Sequence, residues 1–169
     1  MISLPEGLQI RLATDSDSKA AIELIKRSYE EYREQGVIFD LEEESDLITL
    51  ESSFALRDGV VFAVTKNTVP KTLVGIGGFI PFSQNVIELK KLYVDQDFRG
   101  TGIGQYLVEY IISQARSLNA RELVLWTDTR FTKAHRLYEK MGFVKGPTAR
   151  KLADKSNTEE YSYRLVLMP

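Results

Sequence analysis

The sequence predicts a mixed α/β fold with a mostly antiparallel central sheet of about seven strands, flanked by about four helices. Two observations carry this. Three strand-like runs at 60–66, 73–80 and 86–94 follow one another with short turns, as an antiparallel meander does. A strand–helix–strand unit comes next (86–94, 105–118, 122–127), and a helical crossover implies a parallel pair. The full order is β-α-α-β-β-β-α-β-α-β-β.

Residues 9–13 read as the first strand. Thr14, Asp15, Ser16 and Asp17 then offer capping oxygens for a helix over 18–34, with Ala21, Leu24, Ile25 and Ser28 forming its inward stripe and Gly36 ending it. A second, more acidic helix is expected over 42–56, with Leu47, Leu50 and Phe54 inward. The meander follows, broken by turns at 67–71 and 83–85; its second strand ends at Pro81. In 105–118, Tyr106, Leu107, Tyr110, Ile111, Gln114 and Leu118 recur at helical spacing. Residues 122–127 form a strand and 131–141 a helix, stopped by Gly142 at a C′ position. Residues 143–145 resume a strand, 148–158 read as a polar loop, and 161–167 alternate as the closing strand.

Composition narrows the function classes. The chain has 169 residues, enough for one domain spanning 1–169, with 43% hydrophobic and 27% charged residues as in soluble globular proteins. Its net charge of −2 gives no general attraction to nucleic acid or anionic membrane. There is no cysteine, hence no disulfide, thiol nucleophile or cysteine metal site. No uncharged apolar run approaches the ~18 residues of a membrane span, and the first residues do not read as a signal peptide. A cytoplasmic enzyme or binding protein is the expectation, and a homodimer is left open.

The most informative segment is Arg99-Gly100-Thr101-Gly102-Ile103-Gly104, between a strand and a helix. Glycines let the backbone approach an anion closely. The free N–H groups and dipole of the following helix point at the same place. The alternative is a tight turn with no ligand, but such a turn needs one glycine rather than three at alternate positions.

Together with Glu88-Leu-Lys-Lys-Leu-Tyr-Val94 and Ala134-His-Arg-Leu-Tyr-Glu-Lys-Met-Gly-Phe143, this segment resembles the GCN5-related N-acetyltransferases. Their acetyl-CoA motif, Gln/Arg-x-x-Gly-x-Gly/Ala, is met by Arg99, Gly102 and Gly104, and their Ala-x-x-Leu-Tyr-x-x-x-Gly-Phe signature by Ala134, Leu137, Tyr138, Gly142 and Phe143. The element order is also the family's, so the resemblance covers nearly the whole chain. It implies acetyl-CoA as cosubstrate and no metal. The backbone of Arg99, Gly100, Thr101, Gly102, Ile103 and Gly104 is then expected around the pyrophosphate, with Lys133 joining the cofactor-binding set. The strand ahead of the turn diverges from its parallel neighbour in this family, and the exposed backbone of Leu92, Tyr93 and Val94 would bond the pantetheine arm.

Acetyl transfer to an amine poses two proton problems. An alkylammonium of pKa near ~10.4 is neutral in only about one molecule in a few thousand at pH 7, and the departing thiolate must be protonated or stabilised. By its motif Tyr138 is placed as the general acid, and a phenol stays protonated at neutral pH. Packed core tyrosine is the alternative. Glu88 is the candidate general base, acting through water; a salt bridge with Lys90 is the competing role.

Three features concern the rest of the site. Phe131 stands where many relatives carry a cofactor-contacting Asn, and Thr127, Asp128 or Thr129 are possible replacements. His135 is expected on a helix surface and Trp126 in the core. Segment 37–46, with Phe39, Asp40 and Glu42-Glu43-Glu44, belongs near the acceptor mouth by family architecture; its carboxylates either attract a cationic amine or form the solvated face of the second helix. Arg150 and Lys151 are candidates for holding an acceptor carboxylate. The acceptor implied is the primary amine of a small molecule, such as an amino acid. A protein lysine or N-terminus is the alternative acceptor, and a non-catalytic acetyl-CoA-binding module the rival class. A dinucleotide-binding domain is disfavoured, because antiparallel strands precede the glycines and Glu122 opens a strand rather than ending one.

Overall fold

The computed structural model describes residues 2–167. The single-domain expectation for 1–169 therefore includes Met1, Met168 and Pro169, which lie outside the described residues. Seven strands form one sheet: β1 (Leu8–Leu12), β2 (Val60–Lys66), β3 (Leu73–Ser83), β4 (Val86–Val94), β5 (Glu122–Asp128), β6 (Val144–Lys151) and β7 (Glu159–Val166). Their spatial order is β1-β2-β3-β4-β5-β7-β6. Among the described residues only β4 and β5 pair in parallel. The helices are α1 (Ser18–Glu30), α2 (Leu50–Ala55), α3 (Ile103–Ser117) and α4 (Thr132–Lys140).

Alternation along the strands separates two cores. Val61, Ala63, Ile76 and Ile80 pack with Ala21, Leu24 and Ile25 of α1 and Leu50 and Phe54 of α2. Phe62, Phe79, Leu123 and Leu125 pack with Val108 and Ile111 of α3 and Tyr138 of α4. Gly75 and Gly77 lie beneath α3, where an added Cβ would come within 3.3 Å of Ile103, Leu107 or Ile111 side-chain carbons, so the helix sits close to the sheet.

Several boundaries differ from the sequence expectation. α1 stops at Glu30, and a separate 3-10 turn at Arg33–Gln35 precedes Gly36. The second helix is only Leu50–Ala55, after a 3-10 turn at Ser45–Leu47. The acidic residues ahead of it are engaged by partners elsewhere in the chain, described below. β3 continues through Pro81, which pairs with Ile87 beyond the last β2 partner at Phe79, so its missing N–H breaks no ladder there. On α3 the buried stripe is Ile103, Leu107, Val108, Ile111, Ile112 and Ala115, and Leu118 is exposed. The predicted loop over 148–158 is a strand as far as Lys151; β6 is the sheet edge and exposed on both faces, so it carries no alternation to read.

β4 determines the position of the site. It pairs with β5 only through Val86, Ile87 and Glu88. Beyond Glu88 the two strands part. On its other edge β4 has a bulge: Tyr93 pairs with Ile76 and Lys90 with Gly78, leaving two residues opposite Gly77. Lys91 takes up the extra length at φ 55.

Candidate active site

Two cavities meet where β4 leaves β5. The first, of about 440 Å³, is lined by Leu92, Tyr93 and Val94, by the turn 98–105 except Thr101, and by Phe131, Lys133, Ala134, Leu137 and Lys140 of the α4 region. Gly100 and Gly102 hold φ of 75 and 91, the left-handed region that side chains resist. Tyr106 N bonds Gly102 O at 2.9 Å, so the amides of Ile103, Gly104 and Gln105 precede any acceptor four residues back within α3. An added Cβ on Gly104 would meet Leu137 Cδ2 at 3.2 Å, so this glycine lets α3 and α4 approach one another. Three cations, Arg99, Lys133 and Lys140, line the same space. A helix N-terminus with free amides and surrounding cations fits a diphosphate.

Arg99 Nε donates to Val94 O at 3.3 Å, tying the turn to the strand, while Nη1 donates to Glu31 Oε2 at 2.5 Å. Thr101 faces elsewhere: its hydroxyl donates to Phe98 O at 2.5 Å, and it does not line the cavity. Lys140 was not singled out from sequence. Its signal is its spacing, since positions 133, 137 and 140 share one helical face.

The second cavity, of about 290 Å³, is lined by Glu88, Lys90, Tyr93, Trp126, Asp128, Tyr138 and Arg150 among others. It shares Leu92, Tyr93, Phe131 and Ala134 with the first. Tyr138 is 5% exposed and lines this cavity. Burial, then the neighbouring Tyr163, pushes its phenol well above the usual range, so it stays protonated. Glu88 is 7% exposed. Its carboxylate lies 3.6 Å from Lys90 Nζ, a contact too long for a hydrogen bond.

Tyr93 is partly buried and donates to Tyr29 Oη at 3.3 Å; Tyr29 donates to Glu44 Oε1 at 2.6 Å, and Glu44 pairs with Lys91. Burial is the main reason the Tyr93 and Tyr29 phenols lie well above their ordinary values. Asp128 is bidentate to Arg130, at 2.9 Å from Nε and 2.8 Å from Nη2. None of the acidic residues 40, 43 and 44 lies on a helix: Asp40 pairs with Lys155, and Glu43 accepts from Lys155 N at 2.9 Å.

Other expectations are corrected. His135 is buried, not a surface residue: its Nε2 lies 2.9 Å from Asp128 O, and its ring meets Tyr161 and Tyr163. Trp126 lines the cavity rather than the core, with the Arg150 guanidinium 4.0 Å over its ring. Arg150 Nε also donates to Glu160 at 2.7 Å, while Lys151 lies outside the cavity. Phe131 contributes an apolar ring, 4.8 Å from Tyr32 and 5.9 Å from Tyr29. Thr127 and Asp128 line the second cavity rather than the first.

Comparison with known proteins identifies the family and the fold. Residues 19–143 match the family model described as the acetyltransferase (GNAT) family. The mycothiol acetyltransferase of Thermobispora bispora is 28% identical over 148 residues, which is 84% of this chain and 48% of that protein. The N-acetylaspartate synthetase of Danio rerio is 41% identical over 59 residues, 35% of this chain and 21% of that protein. The chain thus spans half or less of the length of these relatives. A GNAT-family acetyltransferase structure from Staphylococcus aureus Mu50 superposes with a TM-score of 0.78 at 23% identity, covering 95% of this chain and 99% of that one. The matched segment contains the parting of β4 from β5, the glycine turn and Tyr138, and the chain belongs to the GCN5-related N-acetyltransferase (GNAT) family.

Proposed function

We propose that the chain transfers an acetyl group from acetyl-CoA to the primary amine of a small molecule by direct attack. The observation that carries this is the junction of the two cavities: Glu88 and Tyr138 line one, the glycine turn lines the other, and Leu92 and Tyr93 belong to both. Acetyl-CoA supplies a thioester carbonyl and a thiolate leaving group. In this reading the turn amides, Arg99, Lys133 and Lys140 hold the diphosphate. The β5-facing backbone of Leu92, Tyr93 and Val94, free of a strand partner, aligns the pantetheine arm.

Glu88 removes a proton from the acceptor ammonium through water, and the freed amine attacks the carbonyl carbon. As the carbon–sulfur bond breaks, Tyr138 delivers its proton to the sulfur, and the proton shed by the newly acylated nitrogen returns through water to the Tyr138 phenolate. A hydroxyl held protonated by its burial suits that step. The apolar ring of Phe131 stands where the two cavities join and excludes water from the thioester. Two relatives named for small-molecule chemistry, mycothiol acetyltransferase and N-acetylaspartate synthetase, support the acceptor class.

The test has two arms. Acetyl-CoA and CoA should raise the melting temperature while NAD does not. Release of CoA thiol is then followed across amino acids, polyamines, aminoglycosides and lysine peptides, with no background from a chain that has no cysteine. Stabilisation by NAD but not by CoA overturns the reading, as does failure of every acceptor to release thiol.

A further inference from the structure

Two segments distant in sequence line the second cavity. One is the connection between α1 and α2, the other the turn between β6 and β7. Ile38 N donates to Ser156 Oγ at 2.8 Å, and Ser156 Oγ donates back to Ile38 O at 3.1 Å. One hydroxyl thus joins both backbone groups of a residue 118 positions away. Arg130, held by the bidentate Asp128, donates through Nη1 to Gln35 O at 3.2 Å and to Ser156 O at 3.1 Å. Lys155 pairs with Asp40 through its side chain, and its amide donates to Glu43 Oε1 at 2.9 Å. Ile38, Asp40, Leu152 and Ser156 line the cavity.

These contacts cross the space between the two segments. An amine attached to a polypeptide brings a flanking chain that needs a gap beside the cavity, and these bonds tie together two segments that line it. A free amine has no such chain. The space, about 290 Å³, is at the small end of ligand pockets.

Building on the acetyltransferase reading, we propose that segments 35–43 and 152–158 form a specificity-determining strap. Cross-bonded by Ser156, Arg130 and Lys155, it admits free amines small enough to be engulfed and excludes lysine or N-terminal amines borne on a polypeptide. Ser156 and Lys155 are positioning residues: they hold the roof and take no part in the chemistry. Arg130 does the same but also neutralises the buried Asp128, so the variants leave it in place.

The kinetic test compares the wild type with Ser156→Ala/Lys155→Ala. The wild type should turn over free amines with a kcat/KM at least about tenfold above that for peptide-borne amines. Opening the strap should raise the small-amine KM about tenfold and narrow the gap to peptides, with the KM for acetyl-CoA unmoved. The conservative Ser156→Thr/Lys155→Arg pair should restore the wild-type profile. Equal use of peptides and free amines by the wild type overturns the proposal, and so does an opened variant with the wild-type acceptor profile.

A labelling test needs no turnover. Thr127 is buried and lines the cavity, and Thr127→Cys introduces the only thiol of the chain. Iodoacetamide should label it in the folded protein, whereas a polyethylene-glycol maleimide should label it only once Ser156→Ala/Lys155→Ala is added. Rapid labelling by the bulky reagent with the strap intact overturns the proposal. If no acceptor releases CoA thiol, the acetyltransferase reading falls, while this labelling still decides the strap.

Discussion

Arg99 of the glycine turn donates to Glu31, just past the end of α1, at 2.5 Å; Lys133 of α4 lies 4.0 Å from the same carboxylate oxygen. One carboxylate therefore meets two of the three cations that line the cofactor cavity. A diphosphate entering there competes with Glu31 for them.

That competition has a sign. Glu31→Gln should tighten CoA binding by a few-fold, the size expected of a partly exposed ion pair. Arg99→Ala removes a charge-assisted donor and should weaken binding by about tenfold or more. Titration calorimetry with CoA measures both, and weaker binding by Glu31→Gln would contradict the competition.

Tyr138→Phe deletes the hydroxyl and keeps the ring packed on Phe143 and Tyr163. Turnover should fall by about a hundredfold, within the range of general acid catalysis, with CoA affinity held to about twofold. Full turnover would return Tyr138 to a packing role. Because burial raises the phenol, the wild-type rate should show no loss from Tyr138 ionisation up to about pH 10.

Glu88→Gln separates the two roles of the carboxylate. A base gives a loss of kcat near a hundredfold with little change in melting temperature. A structural partner of Lys90 gives the reverse, and Lys90→Met should then reproduce the same melting shift. Paired kinetics and calorimetric melts on the two variants distinguish these outcomes.

His135 gives a pH dependence of stability. Burial is the main reason its imidazole is held below the ordinary value, against the opposing bond to Asp128 O. The unfolded chain takes up a proton near pH ~6.5, while the folded imidazole resists until lower pH. The contribution is therefore complete above that value and lost as pH falls through the lowered folded one. Between about pH 7.5 and about pH 5 the wild type should lose more stability than His135→Gln, read as the shift in urea midpoint. Identical slopes would remove His135 as the cause.

Local signals made much of this protein legible. β4 was bounded correctly because a turn at 83–85 and the glycine run enclose it, and α1 showed its stripe because helical spacing survives in a helix packed on one face. The floor of the site, Glu88 and Tyr138, followed from motifs that lie within single elements. Its roof did not. Ser156 meets Ile38 across 118 positions, and Arg130 meets Gln35 across 95, and no local pattern encodes such contacts. The second helix was overextended for a related reason: the charges of Asp40, Glu43 and Glu44 look like a solvated helical face until Lys155, Tyr29 and Lys91 are seen to engage them. His135 was misplaced because its acceptor is a backbone carbonyl, which carries no side-chain signature.

The extra residue at Lys91 changes the parity of β4. Ile87 and Leu89 face the α3 side, as do Leu92 and Val94, although an uninterrupted strand would send an odd and an even position to opposite sides. Glu88 and Tyr93 come to border one chamber by the same inversion. What this strand must conserve is a count as much as a composition. Shortened by one residue here, it would keep every other side chain and still present Tyr93 to the wrong half of the molecule.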